Sequence, residues 1–289
     1  MEITFKEAKS ILTPQHTGFL AAGPYPFTYA LSAYVGCGFG QTSCGKYCYA
    51  QYLPQWVFNG NNATWGNAVQ VKANAAELLE KTLAKMKPET RRTLRIFMST
   101  TTDPYQPIER KYELTRQCLE VFARYPDLDL LVVQTRSSLA ERDLPLLRRI
   151  PYAWLSVTIE TDDQIYLQQL GGGPLLERRW HLVYAARVCS LPTQITVSPC
   201  LPYSNVEAFG QKLLASGVRR IIVDTVVDGD GSAGKRTAHS PFAQVEQAWA
   251  ETSHAHLLYN YLCEHSEVRK LTVGWSNAGF CGIPPHIHG

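Results

Sequence analysis

The chain has 289 residues, 45% of them hydrophobic and 18% charged, with a net charge of +3. That length can bury one large core, and the composition excludes a disordered or collagen-like chain. No apolar run approaches the roughly 18–20 residues that span a bilayer, and residues 1–18 carry charges throughout without the apolar stretch of a signal peptide. A cytoplasmic protein with no membrane association is expected.

Taken in chain order, residues 27–35 read as a strand leading into a cysteine-rich segment. Residues 74–87 carry apolar side chains at three- and four-residue intervals with Pro88 beyond them, the pattern of an amphipathic helix. From there strand-like and helix-like segments alternate. Strands are predicted at 94–99, 128–134, 153–159, 194–198 and 219–224, and helices at 109–124, 140–149, 178–189 and 206–216. Beyond Val226 the pattern is less regular, with a flexible stretch at 228–234 and a helix near 243–265. Regular β/α alternation implies a parallel sheet wrapped by helices, as a barrel or an open sheet. Polar clusters at 99–103, 135–138, 158–161 and 198–200 follow the strands. Parallel α/β folds gather their functional loops at the carboxyl ends of the strands.

Three of the eight cysteines, Cys37, Cys44 and Cys48, fall within twelve residues on a glycine-rich segment, and the other five are scattered. In a reducing compartment such clustering points to metal or redox chemistry. Three thiolates on one loop suit two centres. A structural zinc needs a fourth ligand from elsewhere, such as His16 or a distant cysteine. A [4Fe–4S] cluster with three protein ligands leaves one iron open to chelate a small molecule. The glycine run at 171–173 reads as a flexible loop or lid. The arginine pairs at 91–92, 148–149, 178–179 and 219–220 are dispersed, which leaves a nucleic-acid partner open without announcing one.

The cysteine segment (GCGFGQTSCGKYCYA, residues 36–50), with WGNAVQVK at 65–72, STTTDPYQPIE at 99–109, QTRSS at 134–138 followed by Arg142 and Asp143, SVTIETDD at 156–163 and PCLPYSN at 199–205, resembles the radical SAM superfamily in its spore photoproduct lyase-like branch. The resemblance covers residues 28–225. It departs from the usual pattern in leaving six and three residues between the cysteines, where relatives have three and two.

The resemblance implies an α/β fold, a partial (β/α)6 TIM-like barrel over 28–225, with an N-terminal extension (1–27) and an irregular, helical C-terminal extension (226–289) covering it. It implies a [4Fe–4S] cluster held by Cys37, Cys44 and Cys48, with S-adenosylmethionine on the open iron. Reductive cleavage would release a 5′-deoxyadenosyl radical that abstracts hydrogen from a substrate. Thr102 would lie near the cofactor amino group, Arg136 against its carboxylate, and Thr158 within reach of the ribose or carboxylate. The implied partners are an electron donor such as flavodoxin or ferredoxin and a small-molecule or peptide substrate. A DNA-repair lyase is the alternative activity, but the hydrogen-donating cysteine of that reaction falls on Thr100 here, and Cys200 and Cys281 are the other thiols to consider. An alternative of another class is a non-enzymatic zinc or iron–sulfur carrier or scaffold.

Overall fold

The computed structural model describes residues 1–58, 64–98 and 100–286. Among the described residues eleven strands form two sheets. They are β1 (Glu2–Lys6), β2 (Leu12–Pro14), β3 (Tyr29–Leu31), β4 (Tyr34–Val35), β5 (Ala68–Lys72), β6 (Arg95–Met98), β7 (Leu130–Thr135), β8 (Ala153–Thr158), β9 (Thr193–Val197), β10 (Arg220–Val223) and β11 (Thr272–Trp275). The large sheet has the order β11-β10-β9-β8-β7-β6-β3-β2, parallel throughout except for β2, which runs antiparallel to β3. The order is open, with β2 and β11 at its edges. This is the expected α/β architecture, a partial TIM-like barrel in which β3 and β6 to β10 are the six barrel strands. β11 adds a seventh parallel strand that the sequence pattern did not single out.

Strands covered on both faces read as near-continuous apolar runs. Leu130, Leu131, Val132 and Val133 of β7 are all buried, as are all residues of β6, β9 and β10. Helix Ala75–Lys85 turns Ala75, Leu79 and Leu83 inward at four-residue spacing. Arg95 opens β6 inside the core, where it pairs with Asp129 at 2.5 Å and donates to the Ile283 carbonyl. The C-terminal segment is thereby tied to the end of the sheet opposite the polar strand ends.

Two local expectations change, and a third falls outside the described residues. The strand at 27–35 is two short strands, β3 and β4, in different sheets. Ser99, the expected end of β6, lies outside the described residues. The helix at 109–124 breaks into Glu109–Tyr112 and Leu114–Phe122, with Glu113 in the left-handed region at φ 51°. The cause is local capping: the Glu109 carboxylate accepts from the Thr115 and Arg116 backbone N–H groups, so it caps the second helix in place of a continuous turn. Among the described residues no helix is long and apolar enough to cross a membrane.

Candidate functional site

A cavity of about 620 Å³ opens at the carboxyl ends of the parallel strands, within the size range of small-molecule sites. Its wall includes Cys37, Cys44, Cys48, Thr102, Arg136 and Thr158. The sequence-predicted residues, drawn from four separate segments, therefore meet on one surface.

The cysteine loop is built by close backbone approach. Gly45 begins its turn so near Gly40 that a Cβ there would stand 1.8 Å from the Gly40 carbonyl oxygen. Cys44 and Cys48 sit four residues apart around the one-turn helix Ser43–Tyr47, a spacing that stacks them on one face. Thr102 Oγ donates to the Gly36 carbonyl at 2.8 Å, and the Gln106 side chain accepts from the Gly38 N–H at 2.7 Å. Residues after β6 thus hold the loop that carries the thiols. G45A is expected to displace this loop and lower the melting temperature by several degrees, a cost of at least ~1–3 kcal/mol for overpacking; an unchanged melt would contradict so tight a turn.

The glycine run is not a free lid. The Gly172 carbonyl accepts from the Ser43 N–H at 2.9 Å, Gly171 to Gly173 all take positive φ, and Gly171 and Gly173 lie against Thr42. It buttresses the start of the cysteine helix.

The electrostatics single out one thiol. All eight cysteines are free. The Cys48 thiol donates to Cys44, and together with the Arg136 guanidinium it holds the Cys44 thiol below the usual range, against the effect of burial. Burial, then Cys44 and Asp103, push Cys37 up to about 12. Arg136 Nη1 lies 2.5 Å from Cys44 Sγ, and its Nε donates to Glu160 Oε1 at 3.1 Å. Glu160, fully buried, also accepts from the Tyr47 hydroxyl at 2.9 Å and pairs with Arg179. Burial pushes its carboxyl up, and the Arg179 and Arg136 guanidiniums more than reverse this, holding it below the usual carboxylate range. Asp103 grips the end of β7, accepting from Thr135 Oγ at 2.6 Å and the Arg136 N–H at 2.9 Å.

Sequence reasoning missed Glu160, Arg179 and Asp224 as members of the site. Asp224 follows β10, lines the cavity and is 1% exposed. Its Oδ2 accepts from Ser198 Oγ at 3.0 Å, and Oδ1 has no partner among the described residues. Burial, with Asp228 adding to it, pushes its carboxyl up to about 7. An unfolded aspartate titrates near 4, so folding takes up a proton between about pH 4 and 7. The stability gained from the neutral form is full below about pH 4 and is lost as pH rises to 7. D224N escapes that loss, so its melting temperature relative to the parent should climb from pH 5 to pH 8. An equal difference at both pH values would contradict the buried carboxyl raised to about 7.

The remaining candidates are placed differently. Thr100 lines the cavity, and its carbonyl accepts from the Tyr49 hydroxyl at 2.6 Å. Cys200 and Cys281 are buried and lie outside the cavity wall, Cys281 among Leu20, Phe27 and Phe280. Of the paired arginines, Arg91 binds Asp127, Arg179 is buried, and Arg220 donates to the Gly279 carbonyl. Three of the four pairs thus spend a member on internal structure.

No family model matches the chain. Among solved structures, a spore photoproduct lyase mutant superposes with a TM-score of 0.61 at 12% identity, over 95% of this chain and 81% of that one. A second mutant, with AdoMet and a dinucleoside spore photoproduct bound, gives 0.57 at 12% identity over the same shares. A radical SAM Nα-GlyT isomerase of Pseudomonas phage M6 is 26% identical over 201 residues, 68% of this chain and 38% of the relative. The chain has the fold of the spore photoproduct lyase structures. Within that setting, an uncharacterized protein of Methanocaldococcus jannaschii is 34% identical over 131 residues, 45% of this chain and 44% of the relative. An uncharacterized protein of Mycobacterium tuberculosis is 28% identical over 185 residues, 63% of this chain and 52% of the relative. The chain spans about half the length of these curated relatives.

Proposed function

We propose that the chain is a radical SAM enzyme, in which Cys37, Cys44 and Cys48 hold a [4Fe–4S] cluster and the adjoining cavity takes S-adenosylmethionine and a substrate. The observation that carries this reading is three thiols on one tightly built loop, facing a strand-end cavity, with a guanidinium beside the middle thiol. The donor set fits a polynuclear cluster. Three thiolates match a cluster that leaves one iron open, whereas a structural zinc takes four protein ligands. This favours the cluster over the zinc scaffold. When bound and reduced, such a cluster supplies one electron to the sulfonium of S-adenosylmethionine, whose C–S cleavage yields the 5′-deoxyadenosyl radical.

The chain's own residues bind and orient. Arg136 offers a planar fork suited to the cofactor carboxylate. Thr102 uses its single donor on Gly36 and accepts from Gln106 Nε2 at 2.8 Å, which leaves one lone pair for the cofactor amino group. Thr158 Oγ lies 3.2 Å from Thr196 Oγ, on the strand-end wall where the ribose or carboxylate would rest. Tyr47, closed against Phe242, excludes water from the loop.

For partners we propose an electron donor such as flavodoxin or ferredoxin, and a small molecule or peptide as substrate rather than a DNA lesion. The cavity wall carries no thiol besides the three loop cysteines among the described residues, so the cysteine hydrogen donor of a repair lyase has no counterpart on it. Anaerobic reconstitution tests the cofactor assignment. Near four irons per chain (one cluster), with an electron paramagnetic resonance signal that S-adenosylmethionine alters, supports it. Stoichiometric zinc and no cluster would overturn it, and salt-dependent retention on duplex DNA would overturn the choice of substrate.

A further inference from the structure

Arginine is a long side chain with much rotamer freedom to lose when fixed, so an Arg136 that presents a set geometry to a cofactor needs an anchor. The structure provides a chain of them. Arg179, 1% exposed within helix Leu176–Val188, donates to the Pro174 carbonyl through Nε and Nη2 at 3.1 and 2.9 Å, and to the Thr158 carbonyl through Nη1 at 3.1 Å. The same Nη1 binds Glu160 Oε2. Glu160 Oε1 then receives Tyr47 and Arg136, and Arg136 Nη1 reaches Cys44. The Glu160 main chain is fixed as well, its carbonyl accepting from the Leu201 N–H at 2.9 Å. Two cations sharing one buried carboxylate are costly to desolvate, and apolar residues of similar volume are often as stable. Stability alone does not account for such a chain that ends, at Arg136, on the wall of a cavity.

We infer that Glu160, fixed by Arg179, is a positioning residue that aims the Arg136 guanidinium at both Cys44 and the cofactor carboxylate. The inference rests on the proposed function and assigns a role to two residues outside the expected ligand set. Glu160 does not line the cavity, so it acts through Arg136 rather than by contact.

The test is a double-mutant cycle on reconstituted, reduced protein. Its readout is the affinity for S-adenosylmethionine, from the cofactor-induced change in the cluster's electron paramagnetic resonance signal, with iron content measured alongside. R136M should weaken binding by on the order of tenfold or more, the value of a charge-assisted bidentate contact. E160Q should weaken it comparably with iron content unchanged, and E160Q in the R136M background should add nothing, because its target is gone. An E160Q affinity within about twofold of the parent, or losses that multiply in the double variant, would overturn the positioning role. If E160Q loads no cluster, the same cycle run with E160D applies: the shorter carboxylate keeps the charge and should still weaken binding only while Arg136 is present. Parent protein that loads no cluster overturns the proposed function itself, a different result from parent protein that binds the cofactor while Glu160 is indifferent.

Discussion

C44A is expected to abolish cluster assembly, leaving iron and sulfide near background after anaerobic reconstitution while the fold persists. Cys44 is the thiol for which ionisation is prepared, by the Cys48 donor and the Arg136 cation, and only a thiolate ligates iron. The loop around it is held by main-chain contacts to Gly36, Gly38 and Ser43 rather than by the sulfur, so removing one sulfur leaves the scaffold standing. C118A is the matched control. Cys118 is a fully buried core residue of helix Leu114–Phe122, so its loss should cost stability and leave iron content intact. Equal iron content in C44A and the parent would contradict the ligand assignment.

R179M is expected to be the most destabilising single change at the site. It removes one partner of a fully buried ion pair and strands two carbonyls, Pro174 and Thr158, that accept from the guanidinium. Breaking a buried pair costs about 3–5 kcal/mol, which for a chain of this size is a drop in melting temperature on the order of 10 °C. R179K should rescue little, because an ammonium cannot span Glu160, Thr158 and Pro174 at once. Thermal denaturation of the parent and both variants at neutral pH checks this, and a drop below about 2 °C in R179M would contradict it.

Much of the barrel is legible in the sequence because parallel strands buried on both faces read as unbroken apolar runs, as at 130–133. The cysteines are legible because three thiols on one glycine-rich loop have few other uses, and Thr102, Arg136 and Thr158 because they lie in stretches that resemble a family. Other features are hidden for stated reasons. Glu160 lies in one of those stretches, but a single carboxylate has no spacing to mark it. Arg179 follows Arg178 on a helix, where such pairs usually face solvent, and only the fold turns it inward. The break at Glu113 depends on Glu109 reaching past its own turn, a contact that periodicity does not encode. β11 is four residues long with Gly274 inside it, too short and too weakly patterned to stand out from the irregular C-terminal region. The glycine run shows the same limit: its conformational freedom is used to dock against Thr42 rather than to move.

Radical SAM chemistry at the three-cysteine loop and its cavity is checked by reducing the reconstituted protein with S-adenosylmethionine and measuring 5′-deoxyadenosine. 5′-Deoxyadenosine is expected to form with an intact cluster in the parent protein and to be lost in C44A. A fully loaded, reduced cluster that binds S-adenosylmethionine and never yields 5′-deoxyadenosine would contradict it.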